Sequence, residues 1–301
     1  MIEFPQPMQA NSINLSANCK SIVVHVNDSM QWFIRDARHY QILFLSTFLL
    51  YGITSLQWDM NPTIMAAAFT SCFITQYLFI VLRMNDLHSL KSAMISSLSL
   101  CLMLKTNDPL VMLLAGTLSI SGKFLLRWRH PAVGKIGGGW KHFFNPTNFG
   151  IITTIVITGN AWISPGQWGS DGLLLFGIGL LGLFVLLKVK RLDIAIAFFT
   201  VFCLLTFTRN VAVLGWSADV FFHQFTSGTL LLFTFFMITD PVSTPSHRIA
   251  RICWAVLVAF LAFYLATYEF INGAPLWALF FLSPLSVLFD KLFLHPKFSW
   301  L

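Results

Sequence analysis

The 301-residue chain is 56% hydrophobic, holds 31 Phe and 10 Trp, and is only 10% charged, against about 25% in an ordinary soluble domain. This composition excludes a soluble globular domain, and long apolar runs place the chain among polytopic membrane proteins. A net charge of +7 would suit a nucleic-acid partner, but the positions of the charges assign it to membrane orientation and to contact with anionic lipid, with no nucleic acid expected.

The first segment, 1–39, is polar and mixed. It lacks the basic start and short apolar core of a signal peptide and reads as a cytoplasmic lead-in. Ser21–Val26 is a β-branched patch, and Met30–Arg38 fits an interfacial helix. A transmembrane domain over 40–291 and a cytoplasmic tail over 292–301 follow. A span needs about twenty apolar residues. The candidates are 40–57, 63–83, 89–105, 109–127, 141–160, 172–188, 192–208, 222–239, 249–268 and 273–290. The third contains Ser92, Ser96, Ser97 and Ser99 and is predicted to be short or re-entrant. The inner loop from Arg127 to Trp140 has Gly137, Gly138 and Gly139 but neither a Walker pattern nor GxGxxG, and reads as a flexible basic linker. The five cysteines are scattered without a CxxC, which fits small buried hydrophobes. No Ser/His/Asp triad or paired carboxylates suggest hydrolysis. His130, His142 and His223 are expected on loops or helix ends in structural roles.

The basic residues test the count. With the N-terminus in the cytoplasm, all but two of the 19 Lys and Arg residues fall on the inner side. The exceptions are Lys105 and Arg209. Ten spans with both ends cytoplasmic satisfy the positive-inside rule. The expected location is the cell's inner (plasma) membrane.

Two stretches interrupt the apolar pattern. Polar groups and prolines at membrane depth are costly unless they line a cavity or pack in protein. In HFFNPTNFG (His142–Gly150), Asn145, Thr147 and Asn148 surround Pro146, so a helix starts there with its amides facing whatever lies beyond. In the second stretch, Ser227, Gly228 and Thr229 allow close packing or the approach of a flat ligand. That segment ends in Thr239, Asp240, Pro241 and Ser243. Asp240 is suited to cap the following turn, or to bind a cation or a ligand donor. Capped helix starts and plain packing explain the same residues equally well. Asn61-Pro62-Thr63 repeats Asn145-Pro146-Thr147, but on segments two and five, where a five-plus-five repeat would pair two with seven. The match is read as chance.

HFFNPTNFG, WISPGQWG (Trp162–Gly169) and FHQFTSGTLLLFTFFMITDPVSTP (Phe222–Pro245) resemble a membrane component shared by two redox pumps. These are the D component of the Rnf ferredoxin:NAD electron transport complex and the B component of the sodium-translocating NADH:quinone reductase. The resemblance is strongest from Trp140 to Lys291. It implies an all-α fold of about ten transmembrane helices in two inverted five-helix halves, similar to urea and ammonium channels. It also implies bound flavin, with one FMN joined to a threonine through a phosphoester and riboflavin in some members. One departure stands out. Where the family has a stretch like Asp-Gly-x-Ser-Gly-Ala-Thr, this chain has Asp171-Gly172-Leu173-Leu174-Leu175-Phe176. Leucine has no hydroxyl and cannot form the phosphoester. Ser227-Gly228-Thr229 lies in a different helix and lacks the preceding Asp.

Two functions therefore compete. One is a subunit, or stand-alone relative, of an electron transport complex, with FMN or riboflavin held noncovalently near Asn145, Asn148, Ser227 and Thr229 and with other redox subunits as partners. The other is a transporter or channel for a small solute such as a flavin or another vitamin. An assembly subunit without a ligand is the plainest possibility.

Overall fold

The computed structural model describes residues 36–82, 90–131, 138–164 and 172–298. The expected features at Ser21–Val26 and most of Met30–Arg38 lie outside these residues. The protein is mostly helical, and every one of the ten expected intervals carries a helix or a bent helix pair. In chain order they are α1 (Ala37–Thr54), α2 (Pro62–Val81), α3 (Leu90–Met103), α4 (Pro109–Leu125), α5 (Pro146–Thr158) and α6 (Gly172–Val189). The second half holds α7 (Leu192–Phe207), α8 (Ala218–Phe225), α9 (Gly228–Leu232), α10 (Arg248–Thr267), α11 (Ala274–Leu282) and α12 (Leu285–Leu292). Thr208–Val213 extends α7 and Phe233–Met237 extends α9, both as π-helix.

Among the described residues, three helices are long and apolar enough to cross a membrane unaided: Pro62–Val81, Leu192–Val213 and Arg248–Thr267. Two pairs meet the same test together but bend, α8 with the α9 helix by 53° and α11 with α12 by 50°. Shorter apolar helices make up much of the rest, including Leu90–Met103, Pro109–Leu125 and Pro146–Thr158.

Local chemistry sets the helix starts. Asn61, Asp108 and Asn145 each precede a proline at the first helical position, and each side chain accepts a backbone N–H of the first turn. Proline has no N–H to lose there, and the Asx oxygen satisfies an amide that lacks an intrahelical partner. The repeated Asn-Pro-Thr is thus a capping signal used twice. Gly159 ends α5 with φ of 65°, a conformation that disfavours a side chain. Buried hydroxyls return to their own helix: Ser71 to the Ala67 carbonyl (2.8 Å), Thr206 to Phe202 (2.8 Å), Ser283 to Leu279 (2.6 Å). In an apolar interior such bonds keep a polar side chain from being left unsatisfied.

Packing joins α4 to α2 and to α5, and α10 to α7 and to α11, while α1 lies against α3. Trp254 of α10 is buried, and its indole N–H donates to the Leu282 carbonyl at 2.9 Å.

Two short antiparallel ribbons depart from the expected all-helical pattern. β1 (Leu104–Thr106) pairs with β4 (Ala161–Ile163), so α3 and the chain after α5 both end extended and share backbone bonds. β2 (Arg127–His130) pairs with β3 (Gly139–His142) in the register Arg127↔His142. The stretch read as a flexible linker is therefore a paired ribbon at its described ends, and residues 132–137 lie outside the described ones. Arg127 stacks on Trp140 at 4.8 Å across this ribbon. The fifth helix starts later than the interval 141–160, because β3 and the Asn145 cap occupy its first residues.

Candidate functional site

The bend between α8 and α9 falls at Thr226 and Ser227, and Ser227 is the N-cap residue of α9. Gly228 is buried in the first turn. Thr229 donates its hydroxyl to the Ser164 carbonyl at 2.6 Å. Ser164 directly follows β4, and its N–H bonds the Met103 carbonyl at 2.8 Å. The β1–β4 ribbon thereby fixes the wall that Thr229 leans on. Asn272 adds a bond from Nδ2 to the Ile163 carbonyl at 3.3 Å.

A cavity of about 380 Å³ opens at this end of α9. Phe202, Trp216 and Phe225 form aromatic walls, and Arg209, Asn210, Gln224, Ser227, Thr229 and Asn272 supply polar edges. Asn210 donates from Nδ2 to Gln224 Oε1 (3.3 Å) and accepts from Arg209 (3.1 Å). These residues lie on the π-helical end of α7 and on α8. Asn210 lines the cavity from the π-helical turn, the kind of local break in a helix that recurs at functional sites.

The other end of the α9 helix meets a second cavity of about 340 Å³. Arg38, Lys123, His142, Asn145, Thr147, Thr239 and Asp240 line it with Phe235 and Phe236. Asn145 caps α5 with Oδ1 (3.0 Å to the Asn148 N–H) and donates from Nδ2 to the Met237 carbonyl (3.3 Å). It ties the start of α5 to the end of the π-turn. Thr239 returns its hydroxyl to the Phe235 carbonyl at 2.6 Å. Asp240 accepts the Val242 N–H at 3.2 Å, which is an Asx turn, and its other oxygen lies 3.7 Å from His142 Nε2. Burial raises the Asp240 carboxyl pKa. The His142 ring, the Ser243 hydroxyl and the Val242 amide more than offset that and hold it below the ordinary carboxylate value. Its stabilising charge is therefore present at neutral pH and is lost only as the pH falls through that lowered pKa.

Asn148 is buried and bonded to a wall residue of each cavity, its N–H to Asn145 Oδ1 of the second at 3.0 Å. Its Nδ2 donates to the carbonyl of Leu276, a residue of the first cavity's wall, at 3.1 Å. Its Oδ1 has no partner among the described residues. The residues grouped in sequence thus divide. Ser227 and Thr229 belong to the first cavity, with Gly228 between them. Asn145, Thr147, Thr239 and Asp240 belong to the second. Ser243 is buried beside Asp240.

Alternation in β3 sends adjacent side chains to opposite faces. His142 faces Asp240, while Lys141 enters a closed site: its ammonium donates to Asp290, to Ser246 Oγ (3.2 Å) and to the Thr244 carbonyl (2.7 Å). Asp290 also accepts the Ser246 N–H at 2.7 Å. No sequence signal marks this buried ion pair, since its partners lie far apart in the chain. Arg209 and Lys105 are visible in the sequence only as exceptions to the charge rule. Each lines a cavity, Lys105 in a third one of about 380 Å³ that also includes Asp59 and Met60. His130, expected on a loop, is buried in β2 with Nδ1 at 2.9 Å from the Pro131 carbonyl. The acceptor-like stretch at Ser170–Phe176 lies outside the residues whose side chains are described.

Asp240→Ala should cost about 1–3 kcal/mol, because it leaves the Val242 amide and His142 without their acceptor. Glu269→Ala, which loses only an exposed bond from the Tyr264 hydroxyl (3.0 Å), should leave the melting temperature unchanged and lower function less. Thermal unfolding of both variants in detergent checks this, and equal melting temperatures would remove Asp240 from any organising role.

No curated protein matches the chain. A family model described as the NQR2, RnfD, RnfE family matches residues 128–299, which include β3, all of β2 but Arg127, and the whole α9 helix. The match spans more than half of the sequence, and the chain belongs to the NQR2, RnfD, RnfE family of electron-transport-complex membrane subunits.

Proposed function

We propose that the protein is an integral membrane subunit of an Rnf or NADH:quinone-reductase type electron transport complex that holds a flavin noncovalently in the Arg209 cavity. Family membership carries the first half of this reading. The cavity's chemistry carries the second. A flavin presents a flat ring and an edge of alternating donors and acceptors. Trp216, Phe225 and Phe202 suit the ring, and the amides of Asn210, Gln224 and Asn272 suit the edge. The volume of about 380 Å³ lies in the range of small-molecule sites. Arg209 adds a positive charge suited to the anionic side of the ring or to a phosphate. Bound there, flavin supplies one- and two-electron redox chemistry. The chain binds it, orients it through Asn210 and Gln224, and excludes water with its aromatic walls.

Ten spans with both termini cytoplasmic, in the plasma membrane, and the divisions 1–39, 40–291 and 292–301 remain part of this reading. Repetition in the packing supports two five-helix halves. In α1–α5 the second helix packs on the fourth and the fourth on the fifth. The same pairs recur in the second five segments, as α7 on α10 and α10 on α11. The first segments of the halves also meet each other, as do the fifth. On that orientation the Arg209 cavity faces outward and the Asp240 cavity inward.

A second reading, solute permeation, is favoured by Asn148, a buried side chain bonded to a wall residue of each cavity whose carbonyl oxygen has no partner among the described residues. Thr229→Val tests the flavin assignment. It removes the hydroxyl that braces Ser164 and should lower the flavin retained per purified chain roughly tenfold, as expected for a lost buried hydrogen bond of about 1–1.5 kcal/mol. Undiminished flavin content would move the flavin out of this cavity. Riboflavin uptake into proteoliposomes containing this chain alone would favour permeation.

A further inference from the structure

The cavity at the Asp240 end carries a charge pattern that a flavin at the opposite end leaves unused. Lys123, in the last turn of α4, lines it. Its ammonium has no hydrogen-bond or ion-pair partner among the described residues and lies 5.3 Å from the Phe124 ring centroid. Arg38 lines the cavity from α1, bonded to Asp36 through Nε (3.0 Å) and Nη2 (2.8 Å). Lys91 takes the same carboxylate at 2.9 Å. Arg191, outside the cavity wall, donates to the carbonyl of the wall residue Pro241 at 3.3 Å and lies 5.5 Å from the Phe298 ring centroid. Asp240 is the one carboxylate in the cavity wall, and its oxygens already face the Val242 amide and His142. Among the described residues of the cavity wall, two cations, Lys123 and Arg38, meet one carboxylate, Asp240. The N-terminus of the 13-residue α5, with its positive dipole end, opens into the same space at Pro146 and Thr147. The remaining wall is apolar, with Val185, Val189, Phe235 and Phe236.

An unpaired cation inside a helical bundle is costly, and an anion seated beside it removes that cost. Arg38 on α1, Lys123 on α4 and the start of α5 at Thr147 border the cavity from three elements, an arrangement suited to an oxyanion with several acceptor oxygens. We infer that this cavity binds a phosphate group, held by Lys123 and Arg38 at the α5 N-terminus, with the rest of the ligand against Val185, Val189 and Phe236. The phosphate comes either from an anionic phospholipid headgroup or from a soluble phosphate compound.

The test uses the full chain in detergent, with thermal unfolding measured against added phosphatidylglycerol, phosphatidylcholine or inorganic phosphate. Phosphatidylglycerol or inorganic phosphate should raise the melting temperature, and phosphatidylcholine should have a smaller effect. Lys123→Gln should weaken the response about tenfold, in line with one charge-assisted contact. Lys123→Arg should keep it, and the exposed Lys291→Gln should not alter it. A response to phosphatidylglycerol alone identifies a lipid headgroup, and a response to inorganic phosphate alone a soluble ligand. No response to either, or an equal response in Lys123→Gln, overturns the site. If Lys123→Gln does not fold, native mass spectrometry of the wild-type chain decides. Preferential retention of phosphatidylglycerol or phosphate supports the site, and retention no different from phosphatidylcholine refutes it.

Discussion

Asp290→Ala is expected to destabilise the protein by about 3–5 kcal/mol, the largest effect of any single substitution considered. Asp290 and Lys141 are 1% and 3% exposed. Removing the carboxylate leaves a buried ammonium with only Ser246 and the Thr244 carbonyl, and it frees the Ser246 N–H. The pair joins three parts of the chain: β3, the turn after Asp240, and α12. Its loss should therefore loosen the wall of the Asp240 cavity as well as lower the melting temperature. The double variant Lys141→Met/Asp290→Leu should recover most of the loss, since an apolar pair leaves no charge stranded. Thermal unfolding of the single and double variants separates the effects. A single variant as stable as wild type would mean that the pair is solvated.

Gly150→Val should be the next most damaging, at roughly 1–3 kcal/mol or more. A Cβ at Gly150 would collide with Ser119 Oγ and sit 2.6 Å from the Ala115 carbonyl oxygen, which is backbone and cannot move aside. Gly150 lets α5 approach α4 closely. Gly116 does the same between α4 and α2, where a Cβ would strike Ser71. Gly177→Ala is the control. Among the described residues nothing lies within 4 Å of a Cβ there, so the substitution should be neutral or slightly stabilising. Melting temperatures of the two variants, compared side by side, check the contrast. An equal effect at both positions would contradict the close approach of α4 and α5.

Much of the helical frame was legible because its signals are local. Apolar runs marked the ten intervals, and Asn61-Pro62 and Asn145-Pro146 marked helix starts through capping chemistry that needs only neighbouring residues. The pairing of Leu104 with Ile163 was not legible, since three-residue strands carry no periodicity and their partners are remote. The same holds for Lys141 and Asp290. Asp290 sat unremarked at the end of an apolar interval, and only the fold brings β3 to it. The site was legible in part. Ser227, Thr229, Asn145 and Asp240 do line cavities, but the sequence grouped them in one pocket where the fold separates them along the α9 helix. Arg209 offered the clearest unused signal. A cation that breaks the inside rule has a reason to be there, and this one borders the amides of Asn210 and Gln224.

The most direct test of the central claim is the absorbance and fluorescence spectrum of the purified protein before and after denaturation, with the separated chain examined for attached flavin. The account predicts flavin bound to the native protein, released on denaturation, and absent from the chain. Flavin still attached to the denatured chain would contradict the loss of the acceptor hydroxyl, and no flavin after purification with riboflavin and FMN supplied would contradict the redox assignment of the Arg209 cavity.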